Sequence, residues 1–321
     1  MLRILTTAIG AVLMMQAAST ALAQAWPSRP IRMIVPFTAG GSTDLTARVV
    51  AENLRPVLGQ TIVIDNRPGA SGVIAGDTVA KATPNGYTFL VASATLLANQ
   101  SFSKSSPYDF VADLAPVTQT HSSTNVLVVN PKVPVNTLPD FIAYVKSGKS
   151  KLNYGTAGVG SSQHLAGALF NHMVSGNMVQ VPYKGGAPAV TDLMGGAIEV
   201  VFAPLIEVLP FIKSGAIKPL GVCGPKRSPL LPAVPPISDL LPGYQSMSWG
   251  GILAPAKTPP DIVNRMHEAM VKVLNQPNVR THFAEADKEV VGSSPAEFRK
   301  FIAVEAERLR AQVKISGARM E

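Results

Sequence analysis

The chain has 321 residues, 46% hydrophobic and 15% charged, a balance that excludes a disordered protein and is too long for one ordinary core, so two lobes are expected. Cys223 is the only cysteine, which excludes an intramolecular disulfide and a thiolate metal cluster and leaves burial as the source of stability. The 28 Lys and Arg against 20 Asp and Glu give a formal charge of +8; the basic residues are scattered and aromatics are only 6%, so the field suits small anions and a nucleic-acid partner is not expected.

The N-terminal residues read as an export signal. Arg3 supplies positive charge, Ile4 to Ala18 is almost continuously apolar, and Ala21-Leu22-Ala23 is a small-x-small cleavage pattern, so residues 1–23 are expected to be removed and the mature chain to begin at Gln24 in the periplasm. The apolar stretch falls short of the roughly 20 residues that span a bilayer. No cysteine follows the cleavage point to carry a lipid.

Beyond the signal, apolar runs alternate with helical patterns. Strands are expected at Ile31 to Val35, Thr61 to Ile64, Tyr87 to Ala92, Val126 to Val129, Val179 to Val181, Ile198 to Ala203, Ile217 to Val222 and Trp249 to Ala254. Helices are expected at Thr43 to Leu58, stopped by Gly59, then Leu138 to Lys146, Ser162 to Met173, Ala187 to Met194, Leu205 to Lys213, Asp261 to Leu274 and Pro295 to Val313. This alternation predicts an α/β fold with mostly parallel sheets. Pro36, Pro131, Pro182, Pro204 and Pro255 mark strand ends, and in open α/β sheets the ligand crevice lies beyond the carboxyl ends of strands. Six prolines between Gly224 and Gly243 make that stretch a connector.

Three apolar runs stop at glycine clusters where a helical pattern begins: Ile31 to Val35 before Thr38-Ala39-Gly40-Gly41-Ser42-Thr43-Asp44, Leu152 to Tyr154 before Thr156-Ala157-Gly158-Val159-Gly160-Ser161-Ser162, and Val179 to Val181 before Tyr183-Lys184-Gly185-Gly186. A strand turning through glycine into a helix leaves the first helical N–H groups unpaired at the positive end of the dipole, which makes each junction a candidate anion site, the alternative being that glycine and serine only build the turns. A branched side chain at Gly41 is therefore expected to block backbone approach to the anion. Asp44 also suits the first helical turn as a purely structural residue, and His164, one turn into the second helix, suits a bond to its own loop as well as a ligand contact.

Catalytic patterns are missing. The five histidines show no H-E-x-x-H spacing, and there is no G-x-S-x-G elbow, no phosphate loop and no complete dinucleotide fingerprint, since Gln163 stands where a third glycine would be. No catalytic residue, metal or cofactor is expected.

These motifs, with Trp26-Pro27-Ser28-Arg29-Pro30, Asn66-Arg67-Pro68-Gly69, Thr83-Pro84-Asn85-Gly86-Tyr87, His164-Leu165-Ala166-Gly167, Pro182-Tyr183-Lys184-Gly185-Gly186-Ala187-Pro188 and Ser248-Trp249, occur in an order that resembles the tripartite tricarboxylate transporter solute receptors, the Bug family. The resemblance implies a type II periplasmic binding protein with two Rossmann-like lobes, 24–121 plus 223–321 and 122–222, closing on a small organic carboxylate and handing it, as a monomer, to membrane transporter subunits. It implies ligand contacts from Phe37, Thr38, Ala39, Gly40, Gly41, Ser42, Thr43 and Asp44, from Ala94, Thr95 and Leu96, from Thr156, Ala157, Gly160, Ser161, Ser162 and His164, and from Tyr183, Gly185 and Gly186. The chain departs from the family pattern at Phe202-Ala203-Pro204, where relatives often carry Asp or Asn. With no acceptor at Ala203 for an ammonium, a di- or tricarboxylate or an aromatic acid is expected to outrank an amino acid. A sensor docking on a signalling kinase and a hydrolase or transferase using the same cleft are the rival readings.

Overall fold

In the computed structural model, which describes residues 26–102, 106–148 and 151–316, the first apolar run is a central strand, β1 (Ile31–Val35). Ile31, Met33 and Val35 enter one core cluster and Ile34 another, because helices cover both faces of its sheet. β1 pairs in parallel with β2 (Ile62–Asn66) and β3 (Thr88–Ser93). Between β1 and β2 runs α1 (Ser42–Leu58), which buries Ala47, Val50, Ala51 and Leu54. Each Val or Leu so buried contributes about 1.5–3 kcal/mol. Gly59, at φ 67°, ends α1 in the left-handed conformation and donates its N–H to Arg55 O at 2.9 Å, as the sequence suggested. α2 (Val73–Ala80) links β2 to β3, and β3 passes without a loop into α3 (Ala94–Phe102).

The 16-residue β4 (Leu114–Val129) ties the molecule together. Its segment Leu114 to Thr124 pairs antiparallel with β9 (Met247–Pro255), whereas Asn125 to Val129 pairs antiparallel with β7 (Val200–Pro204) and the end of that segment also with β8 (Lys218–Val222). In this second half β5 (Asn153–Thr156) lies parallel to β6 (Val179–Pro182) and to β7. The path through the sheet is β2-β1-β3-β9-β4-β7-β5-β6, with β10 (Lys288–Val290) paired to β4 at His121 to Ser123.

Around the second half lie α4 (Leu138–Lys146), α5 (Ser162–Val174), α6 (Gly186–Gly195) and α7 (Leu205–Lys213), enclosing two further core clusters. The chain then returns to the first half through α8 (Pro260–Leu274), α9 (Pro277–Glu285) and α10 (Pro295–Ser316). α8 packs on α1, and α10 packs on α3 and also on α5.

Three sequence expectations need correction. The sheets are mixed, not mostly parallel: every pairing made by β4 and β9 is antiparallel. The strand expected at Val126 to Val129 begins at Leu114; the eight residues Thr118 to Asn125 in its middle are all polar and break the apolar signal. No helix was expected at Ala94, Thr95 and Leu96, which are the first turn of α3. The signal segment 1–23 lies outside the described residues.

Candidate ligand cavity between the two halves

Five strands, β1, β3, β5, β6 and β7, send their carboxyl ends toward the junction of the two halves, and the helix that follows each one starts there. The result is a cavity of about 70 Å³, room for roughly five waters at about 10–15 Å³ each. From the first half it is lined by Phe37, Gly41, Ser42 and Thr43 at the start of α1, by Ser93 and Thr95 at the start of α3, and by Trp249 on β9. From the second come Ala157, Ser161, Ser162 and Gln163 at the start of α5, Gly186 at the start of α6, and Pro204 with Glu207 at the start of α7. Thr120, His121 and Ser123 of β4 form the wall where the halves join. Five helix N-termini therefore border one enclosed space, which gives it a positive potential from backbone dipoles alone.

Of the residues expected from sequence, Phe37, Gly41, Ser42, Thr43, Thr95, Ala157, Ser161, Ser162 and Gly186 line this cavity. The others do not, and each has a physical reason. Asp44 is 1% exposed and braces its own loop: its carboxylate accepts from Gly40 N–H and Arg48 Nε at 2.9 Å each and from Asn66 Nδ2 at 2.9 Å. Burial alone would raise its pKa, but the Arg48, Gly40 and Asn66 bonds hold it below the usual carboxylate range. Gly40, at φ 85°, makes the turn, and with Ala39 it is exposed. Thr38 and Gly185 face each other across the mouth, so closely that a Cβ on Gly185 would lie 2.5 Å from Thr38 Oγ1.

Ala94 and Leu96 point into the core beneath α3. Thr156 is buried with its hydroxyl accepting from Gln180 Nε2 at 2.9 Å and from Gly158 N–H at 3.3 Å. Gly160 donates its N–H to His164 Nδ1 at 3.0 Å, and Ser161 Oγ caps α5 by accepting from His164 N–H at 3.1 Å. His164 is turned toward Tyr154, with ring centroids 6.5 Å apart, and burial lowers its pKa to about 4. It locks the loop instead of lining the cavity. Tyr183 donates to Asp192 at 2.7 Å, and Ala203 is fully buried in the core of the second half.

Sequence reasoning missed the residues with the most charge and polarity in this region. Glu207, in the first turn of α7, crosses to the first half, where Oε1 accepts Ser42 N–H at 2.8 Å; Oε2 accepts Gln163 Nε2 at 3.3 Å. Burial raises its pKa against the opposing pull of the Ser42 N–H, the Lys288 charge and Gln163. A Cβ on Gly186 would overlap its carboxylate, so the glycine leaves space that Glu207 fills. Lys288 of β10 is buried under the start of α1, its ammonium donating to Thr46 Oγ1 and to Ser42 O at 3.3 Å, and burial lowers its pKa to about 7 although Glu207 pulls the other way. The only signal that pointed to Glu207 was its place three residues after the strand-ending Pro204, in the first turn of the helix that follows. Trp249, the first residue of the strand expected at Trp249 to Ala254, is 3% exposed and donates Nε1–H to Glu305 at 3.2 Å while also lining the cavity.

Among the described residues no three His, Cys, Asp or Glu side chains gather as a metal site, and no helix is long and apolar enough to cross a membrane. The family profile described as "Tripartite tricarboxylate transporter family receptor" matches residues 46–317. Protein BugT of Bordetella pertussis is 37% identical over 302 residues, covering 93% of this chain and 93% of its own. A solved structure described as a periplasmic transporter is 36% identical with a TM-score of 0.89, covering 92% of this chain and all of its own. Rpa4515 of R. palustris, solved with adipate, is 35% identical with a TM-score of 0.88, covering 91% of this chain and 98% of its own.

Proposed function

This chain belongs to the tripartite tricarboxylate transporter receptor family, and from that premise we propose that it is a periplasmic receptor that captures a small organic carboxylate between its two halves and delivers it to a membrane transporter. The observation that carries this reading is the cavity bordered by five helix N-termini, a setting in which backbone N–H groups and hydroxyls bind a carboxylate without an arginine. Adipate bound to the R. palustris relative supports the ligand class.

Residues 24–121 with 223–321 and residues 122–222 act in this reading as the two lobes, with β4 the element common to both. Of the expected contacts, the nine that line the cavity are proposed as the binding set. The protein is proposed to work as a monomer and to be released from its signal between Ala23 and Gln24, which N-terminal sequencing of the periplasmic fraction checks. Recovery of a chain beginning at Met1 would refute the cleavage.

The expected preference for an amine-free di- or tricarboxylate or aromatic acid rested on Ala203 and on the net positive charge; Ala203 is buried away from the cavity, where Glu207 supplies an acceptor, so the charge is the ground that remains for it. What this proposal carries forward is the carboxylate itself. The test is isothermal titration of the mature protein with malonate, succinate, glutarate, adipate, citrate, benzoate and their amino-substituted counterparts, with each acid recovered and quantified afterward. The expected result is saturable binding of at least one acid, returned unchanged. Binding of none overturns the receptor reading, and consumption of one replaces it with the hydrolase or transferase reading.

A further inference from the structure

Resting on that carboxylate reading, we infer that Glu207 and Gln163 together form a subsite that reads an ammonium on the ligand, so that the preferred ligand is an amino-substituted carboxylate. Three observations meet here. First, Glu207 is the only Asp, Glu, Lys or Arg among the described residues that line the cavity. His121, the one lining histidine, is held neutral because burial, reinforced by the Lys288 charge, keeps its pKa far below the ordinary value. The nearest buried cation, Lys288, is turned onto Ser42 O and Thr46 Oγ1, and among the described residues no ion pair within 4.0 Å includes Glu207. A ligand carrying only negative charge therefore meets a carboxylate in the wall that no ion pair within 4.0 Å neutralises, Lys288 acting on it only from a greater distance.

Second, Gln163 is 2% exposed and its Oε1 has no hydrogen-bond partner, although its Nε2 donates to Glu207. The amide orientation follows from that bond, because the opposite flip would set Oε1 against a carboxylate oxygen. A buried acceptor without a donor beside a buried carboxylate is a pair of acceptors, and the group that satisfies both is a cationic donor.

Third, Glu207 is positioned and not merely tolerated. Ser42 N–H fixes one oxygen, Gln163 the other, and Gly186 leaves the room they need. The ligand carboxylate then has the remaining donors of the cavity, the hydroxyls of Ser93, Thr95 and Ser162. Ser93 Oγ is buried without a partner, which gives that end an open donor. A ligand with an anionic end toward α3 and α5 and an ammonium toward Glu207 satisfies both ends at once.

Titration calorimetry with pairs that differ by one amine tests this: succinate and aspartate, glutarate and glutamate, adipate and 2-aminoadipate, hexanoate and 6-aminohexanoate. In the wild-type protein the amine-bearing member of at least one pair is expected to bind ten or more times tighter than its partner. Glu207→Gln is expected to bring that ratio within threefold by weakening the amine-bearing member, with the circular dichroism spectrum unchanged. Gln163→Leu is expected to reduce the ratio at least threefold, and it carries the test should Glu207→Gln fail to fold. Equal or tighter binding of the amine-free member in every pair overturns the inference while leaving the carboxylate reading intact. So does a Glu207→Gln variant that binds amine-free acids more tightly without losing the amine-bearing ones, since Glu207 is then a competitor for the Ser42 N–H. Failure of every acid to bind overturns both.

Discussion

His164 makes the folded protein sensitive to mild acid, and the size of the effect follows from its surroundings. The imidazole is 3% exposed, its Nδ1 accepts Gly160 N–H at 3.0 Å, and burial lowers its pKa to about 4 from the ordinary 6.5. A protonated Nδ1 cannot accept, so charging the ring loses that bond and leaves a buried cation. The unfolded chain binds the proton more readily than the native one. The stabilisation is therefore complete above pH 6.5 and is lost as pH falls through 4. Linkage gives a loss of about 2 kcal/mol between pH 7 and pH 5 and about 3 kcal/mol by pH 4. In His164→Asn the amide Oδ1 replaces Nδ1 as acceptor for Gly160 and cannot titrate. The variant is expected to be less stable at pH 7, having lost ring packing against Tyr154, but its stability should fall by about 2 kcal/mol less than wild type from pH 7 to pH 5. Urea unfolding at both pH values reads this difference directly, because every carboxylate that contributes to acid unfolding is common to the two proteins. Parallel pH dependences would show that His164 is hydrated or already charged in the native state, and the reasoning would fail.

Two further perturbations separate the roles of neighbouring groups. Gly41→Ala should change stability by less than about 1 kcal/mol and leave carboxylate affinity within a few-fold, because Gly41 is at φ −78° and an added Cβ meets Glu207 Oε1 and Thr38 O only at 3.7 Å; a large loss would mean that even a single Cβ there blocks the site, beyond the branched side chain expected to do so. Gly186→Ala should instead push Glu207 off Ser42 N–H, seen as a shift of the Ser42 amide resonance that Glu207→Gln reproduces and Gly41→Ala does not. Asp44→Ala should cost about 2–4 kcal/mol in urea unfolding, since it removes three bonds to a buried carboxylate and leaves Gly40 N–H and Asn66 Nδ2 short of an acceptor; a change under about 0.5 kcal/mol would mean that the loop is held without it.

What was legible in the sequence was whatever is encoded locally. The Gly40-Gly41-Ser42 and Gly185-Gly186 turns, the Gly59 stop and the helices Leu138–Lys146 and Leu205–Lys213 depend on residues next to one another, and their bounds agree with the structure to the residue for those two helices. β4 failed as a pattern because a strand that joins two halves is not one face against one core. Its polar residues are paid for by distant partners: Thr118 Oγ1 donates to Ser293 O at 2.8 Å, and Gln119 N–H to Ser293 Oγ at 3.1 Å, across more than 170 positions of chain.

Glu207 was illegible for the same reason carried further. By local pattern it is an acid in a first helical turn, stabilised by the dipole of its own helix, and nothing nearby in sequence says otherwise. Its oxygens instead bind Ser42, 165 positions away, and Gln163, 44 positions away, so its meaning depends on the approach of two halves that the sequence gives only as separate alternations. The glycine junctions announced a place for an anion because that chemistry resides in the backbone of one turn. Which charge the opposite wall presents is a property of the two halves brought together, and here that charge has the same sign as the carboxylate of the proposed ligand. A receptor whose loops draw an anion and whose far wall offers a carboxylate discriminates by the second group on the ligand, and it is the matched amine pairs, more than any list of acids, that measure it.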